Sequence, residues 1–139
     1  MAGRDRDRGS GAVTSDQRSA EWLRDRAEIE CCYLTTTGRR SGQPHEIEIW
    51  FGVIDATLYL ISGNGPTADW YQNLVGDPDV SVRIGHDTRA GRARVVSDPD
   101  ERRRVGDAMG AKYVWDGDPA IGLTYPAWCY EVPAVAIEL

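Results

Sequence analysis

Between Glu28 and Ser62 the chain repeats one pattern three times, an extended run followed by a short turn. Ile29, Cys31, Tyr33 and Thr35 alternate with Glu28, Glu30, Cys32 and Leu34. Glu46 and Glu48 alternate with Ile47, Ile49 and Phe51, and Thr57–Ser62 is a mostly apolar run. Successive side chains of a strand point to opposite faces, so a period of two marks a half-buried strand. The intervening segments, Gly38–Pro44 and Gly52–Ala56, are too short for the crossover that parallel neighbours need. These strands therefore form an antiparallel meander.

The rest of the chain adds helices around further strands. Asp16 to Arg26 fits a short helix anchored by Trp22 and Leu23 and capped by Ser15 or Asp16. Thr67 can cap a second helix, Ala68 to Val75, ended by Gly76. Val80, Val82 and Ile84 begin a strand that turns at His86-Asp87 and returns through Ala90–Val96. Asp98-Pro99-Asp100-Glu101 supplies a cap, a proline and an acidic first turn for a helix reaching Tyr113. Asp116–Pro126 reads as loop, and Trp128–Leu139 as a final strand interrupted near Pro133. The expectation is a mainly β fold: a small barrel of about six antiparallel strands with two or three helices packed outside.

A chain of 139 residues suits one domain. Met1–Ser15, rich in Gly, Arg and Asp, reads as a disordered tail, leaving residues 16–139 as the domain. No apolar run reaches the ~20 residues of a membrane helix, and no secretory signal opens the chain, so it reads as cytoplasmic. The net charge of -6, with Lys112 the sole lysine, opposes nonspecific nucleic-acid binding, which needs a basic stripe. Cys31, Cys32 and Cys129 form no disulfide framework, and with His45 and His86 they show no metal-ligand spacing.

One turn carries more chemistry than its neighbours. Leu34-Thr35-Thr36-Thr37-Gly38-Arg39-Arg40-Ser41-Gly42-Gln43-Pro44 joins hydroxyls, two glycines and paired arginines. Glycines expose backbone amides, and each guanidinium offers a planar fork of donors, a combination that suits a phosphate or carboxylate. The spacing matches neither the phosphate loop of nucleotide hydrolases nor the dinucleotide fingerprint. An ordinary hairpin with both arginines in water has the same composition, and this segment alone favours that plainer reading.

Taken together, Leu34–Pro44, Ser62-Gly63-Asn64-Gly65, Asp69-Trp70-Tyr71-Gln72-Asn73-Leu74, Asp77-Pro78, Val80–Ile84 and Ala93-Arg94-Val95-Val96 resemble the deazaflavin-dependent nitroreductase family. The resemblance covers Glu28 to Val96. It implies a split β-barrel like that of flavin-mononucleotide-binding oxidoreductases, and a homodimer. It also implies coenzyme F420, a deazaflavin with an anionic tail, and hydride transfer to a quinone, nitroaromatic or other small electron acceptor. Gly38, Arg39, Arg40 and Ser41 then match the phosphate-side turn, where Arg40 replaces a common lysine. Ser62, Gly63, Asn64 and Gly65 match the loop beside the deazaflavin ring, and Trp70 and Asn73 match the following helix. Asp69 departs from the family, which usually has an apolar or small residue there.

Single residues keep a plainer reading beside this one. Trp70 can anchor its helix, Asn73 can act as a local cap, and the C-terminal aromatics can fill core. Tyr125 and Tyr130 are the candidates for an acceptor pocket or a proton donor, because a phenol both stacks and donates. Two other functions fit the same fold: a protein that binds a deazaflavin, flavin or other small ligand without turnover, and a reductase dependent on flavin mononucleotide (FMN).

Overall fold

Phe51 is the residue on which the architecture turns. In a computed structural model describing residues 13–139, the strands are β1 (Cys31–Thr37), β2 (Pro44–Trp50), β3 (Gly52–Ile54), β4 (Thr57–Ile61), β5 (Asp79–Ile84), β6 (Asp87–Val95) and β7 (Ala134–Glu138). They form one antiparallel sheet in the order β2-β1-β5-β6-β7-β4-β3. Its two edges, β2 and β3, are separated in the chain only by Phe51. A single residue spans about 3.8 Å, so the opposite edges must meet and the sheet must curl into a barrel. The ladder does not close there, and the barrel is split.

Phe51 is fully buried and its backbone has no ladder partner, so side chains satisfy it. Its N–H donates to the Tyr113 hydroxyl at 3.1 Å, and the Lys112 ammonium donates to its carbonyl at 3.0 Å. Tyr113 in turn donates to the Glu30 carbonyl at 2.6 Å. Burial lowers Lys112 to about 8 and raises Tyr113 to about 12. Thus the single lysine of the chain serves the barrel seam.

Four helices pack on this sheet: α1 (Ser15–Arg24), α2 (Asp69–Gly76), α3 (Pro99–Lys112) and α4 (Tyr125–Tyr130). Leu34, Leu58, Leu60, Val82, Ile84 and Ile137 lead one core cluster with Phe51, inside the barrel. A second cluster, with Tyr59, Val105, Met109, Trp128 and Ala136, seals α3 and α4 to the sheet.

Several expectations are corrected. Seven strands replace six because Val53 and Ile54, read as turn, pair with β4 before the true turn at Asp55, whose φ is 53°. The first helix starts at Ser15 and is capped by Thr14, whose hydroxyl accepts from the Gln17 N–H at 3.0 Å; the remainder of the expected tail, residues 1–12, lies outside the described residues. Thr67 does not cap α2; it ends a 3-10 turn at Gly65–Thr67, and Ala68 is the capping residue without a side-chain bond. Trp128 belongs to α4 rather than to a strand. Thr124 caps that helix by accepting from the Ala127 N–H, and Pro126 fits its first turn.

The α3–α4 contact depends on Gly106. A Cβ there would stand 2.3 Å from the Tyr130 ring and 2.6 Å from the Cys129 carbonyl oxygen. Gly106→Ala should therefore destabilise the fold by about 2 kcal/mol despite the better helix propensity of alanine. A thermal melt tests this, and a Tm equal to or above that of the native chain would contradict it.

Candidate functional site

The Gly38–Pro44 turn is built by its own backbone and braced by α2. Gly38 donates to the Gln43 carbonyl at 2.8 Å, and its own carbonyl accepts from Gly42 at 2.8 Å. A Cβ on Gly38 would fall 2.6 Å from both Ser41 Oγ and His45 Nε2, so any larger residue would displace those two side chains. Ser41 Oγ accepts from the Gln43 N–H at 3.1 Å. Behind the turn, Asn73 Oδ1 accepts from Arg39 N at 3.1 Å and Arg39 Nη1 at 2.8 Å, while its Nδ2 donates to Thr36 Oγ1 at 3.3 Å. Asn73 and Thr36 are buried. Asp69 completes the bracket with an ion pair to Arg39 at 3.1 Å. The two arginines thereby differ: Arg39 is held against α2, and Arg40 is exposed with no hydrogen bond or ion pair among the described residues.

Asn73 is accordingly a cross-link between helix, strand and turn rather than a helix cap, and the departure at Asp69 has a physical role. Arg39, Arg40, Ser41, His45, Trp70 and Asn73 line a cavity of about 400 Å3.

Trp70 also lines a second cavity of about 230 Å3, shared with Gly63, Asn64, Trp115, Leu123 and Trp128. Here Ser62 is buried and its hydroxyl donates to the Gly65 carbonyl at 2.6 Å, which fixes the loop. Gly65 adopts φ 81°, a conformation favourable only to glycine. A Cβ on Gly63 would press Leu123 at 3.3 Å. Asn64 is exposed at the rim.

A third cavity, about 440 Å3, continues from the second through shared walls of Ile49, Ile61, Trp115 and Trp128. Its other lining includes Glu30, Cys31, Glu48 and Trp50. The β1–β2 register sets Cys31 opposite Trp50 and Tyr33 opposite Glu48, so Cys31, Glu48 and Trp50 share a face. Burial and the two glutamates push the Cys31 thiol up. The Trp115 Nε1 is buried without a hydrogen-bond partner among the described residues. The three cavities form one trough: the first carries Arg39 and Arg40 beside Glu46 and Asp69 and meets the second at Trp70, the middle is aromatic, and the far end carries Glu30 and Glu48.

Tyr125 and Tyr130 line none of these cavities. The Tyr125 hydroxyl lies 2.6 Å from the Tyr113 carbonyl and 3.2 Å from that of Gly110, behind the trough. Tyr130 donates to Asp107 at 2.6 Å on the outer side of α4. Helix α4 turns Trp128, not the tyrosines, inward. Sequence reading missed Trp50, Glu30 and Glu48 as site residues. Alternation placed both glutamates in extended runs, but only the tertiary fold brings them beside the aromatic end. Among the described residues no group of three or more His, Cys, Asp or Glu side chains is placed to hold a metal. No described helix is long and apolar enough to cross a membrane.

The donor set fits an anionic, ring-bearing cofactor. Arg40, Arg39, Ser41 and His45 face one cavity, and an adjoining slot with aromatic walls, Trp70, Trp115 and Trp128, runs beside the Gly63-Asn64 backbone. Solved structures share the fold. A putative 5-nitroimidazole antibiotic resistance protein from Bacteroides thetaiotaomicron is 21% identical, with TM-score 0.61, covering 91% of this chain and 81% of that one. An F420-H2 dependent reductase (FDR-A) is 21% identical, with TM-score 0.60 and coverage of 78% and 93%. The conserved hypothetical protein Rv2991 from Mycobacterium tuberculosis is 20% identical, with TM-score 0.62 and coverage of 97% and 85%. No curated protein matches the chain. The family model for F420H(2)-dependent quinone reductase matches residues 12–116, most of the strands and both the turn and loop of the trough. The chain therefore belongs to the F420H(2)-dependent quinone reductase family, and is an F420-dependent oxidoreductase of split-barrel fold.

Proposed function

We propose that the trough holds coenzyme F420 in one direction, with its anionic tail at the Gly38–Ser41 turn and its ring beside Ser62–Gly65, and that a small organic acceptor enters at the Trp115–Trp128 end. The observation that carries this reading is the succession of the three cavities, which sets an end bearing two arginines and an aromatic slot in series. When bound, the coenzyme supplies a hydride; the protein supplies position, exclusion of water and charge complementarity. Arg40, without a partner among the described residues, offers a planar fork to the tail, and Arg39, fixed by Asn73 and Asp69, adds a second positive charge at low reorganisation cost. The ordered 62–65 backbone sets the ring against Trp70 and Trp128. With Tyr125 and Tyr130 committed elsewhere, the proton for a reduced quinone oxygen comes from solvent at the open acidic end.

A homodimer is part of this reading, supported by the exposure of edge strand β2 and by a fold relative described as a domain-swapped dimer.

Fluorescence titration of the purified protein with F420 and, separately, with flavin mononucleotide tests the cofactor placement. Selective binding of F420 at micromolar or lower concentration, followed by quinone-dependent oxidation of the reduced coenzyme, is expected. Preferential binding of flavin mononucleotide would reassign the trough, and tight F420 binding without turnover by any acceptor would make the chain a carrier.

A further inference from the structure

We propose that the acidic end of the trough selects a planar aromatic acceptor that carries delocalised positive charge. This rests on the reading above, in which the acceptor occupies that end.

Three indoles build a corner there. Trp50 and Trp115 meet at 89° with ring centres 5.8 Å apart, Trp50 and Trp128 at 85° and 5.7 Å, and Trp115 and Trp128 at 88° and 5.6 Å. Trp50 is also stacked on Tyr113, 4.4 Å away and 3° from parallel, so one face is covered. Indole faces carry partial negative charge and attract a cation, most strongly where water is reduced.

Carboxylates reinforce that preference. Glu30 and Glu48 line the same 440 Å3 cavity, and neither forms an ion pair among the described residues. Glu48 receives a long contact, 3.5 Å, from the Tyr33 hydroxyl and a hydrogen bond from the neighbouring Cys31 thiol, both uncharged donors. The nearby cations are engaged elsewhere: Lys112 bonds the Phe51 carbonyl and lies 3.6 Å over the Phe51 ring, while Arg83 covers Tyr33 and pairs with Glu46. An aromatic corner with two carboxylates that no described cation pairs repels an anionic acceptor and favours a cationic one. Because the arginines stand at the opposite end, cofactor tail and acceptor are sorted by sign of charge.

The chemistry of such an acceptor also matches what the site lacks. A hydride from the reduced coenzyme forms a C–H bond at the electrophilic carbon of the cation, whose π pair shifts to cancel its charge. The acceptor is reduced by two electrons to a neutral product, the coenzyme is oxidised by two, and the coenzyme's second hydrogen leaves as a proton to solvent. No proton has to reach the acceptor, and no tyrosine of α4 is placed to give one.

The test uses protein without coenzyme and a shape-matched pair, N-methylacridinium and acridine, at a pH where acridine is neutral. Quenching of tryptophan fluorescence reports both affinities. The cation is expected to bind about tenfold more tightly than its neutral counterpart. Glu30→Gln with Glu48→Gln should lower the ratio severalfold, leaving the indole contribution, without changing Tm. Equal affinities in the native chain, or a ratio left unchanged by the double substitution, would overturn the inference. F420 titration in parallel reports separately on the trough reading, since its failure leaves the acridinium ratio measurable.

Discussion

Replacing Arg40 with alanine is expected to weaken F420 binding by about 10- to 100-fold and to leave Tm unchanged. A charge-assisted contact to an anionic oxygen contributes about 1.5–3 kcal/mol. Arg40 makes no contact within the described fold that its loss would disturb. Arg39→Ala should behave differently, lowering both affinity and Tm, because buried Asn73 Oδ1 keeps the backbone N–H but loses the guanidinium donor, and the ion pair to Asp69 is lost with it. Titration and thermal melting of the two variants separate a binding residue from a positioning one. Native-like F420 affinity in the Arg40 variant would remove the turn from the tail site.

Glu101→Gln is expected to destabilise the fold by about 3 kcal/mol, the range for breaking a buried ion pair. Arg94 reaches Glu101 with two bonds of 2.8 and 2.7 Å, and the Tyr59 hydroxyl donates to it at 2.7 Å. Glu101 is only 8% exposed. Arg94, with side-chain exposure of 46% and a second partner in Glu138, keeps compensation after the substitution, which holds the loss near the lower end of that range. The pH dependence follows from the same contacts. Hydrogen bonding from Arg94 lowers Glu101 from its ordinary 4.5 to about 2. A carboxyl depressed in the folded state stabilises fully above its unfolded value and loses that contribution as pH falls toward the folded one. The native chain should therefore lose this stability between pH 4.5 and about 2, and the variant should show a flatter profile there. Parallel denaturant titrations across this window decide it; identical slopes would mean that Glu101 is not the responsible group.

The parts of the fold legible from sequence are those set by near neighbours. Alternation located β1, β2 and β4, and the Asp98–Glu101 cap located α3. Helix α4 escaped because Tyr, Trp and Cys favour strands, although Thr124 and Pro126 formed a readable start signal. At the site, the Gly38–Ser41 turn and Ser62–Gly65 loop stood out by composition and resemblance. The different states of Arg39 and Arg40 did not, since they depend on Asn73 and Asp69, some thirty residues downstream.

By itself the sequence determined an antiparallel barrel and its family, because strand period, turn length and motif residues act over a few positions. Tertiary structure decided the site's polarity. Only when β2 and β3 meet across Phe51 do Glu30, Glu48 and Trp50 face Trp115 and Trp128, and charge and π contacts act through space, whatever the separation along the chain.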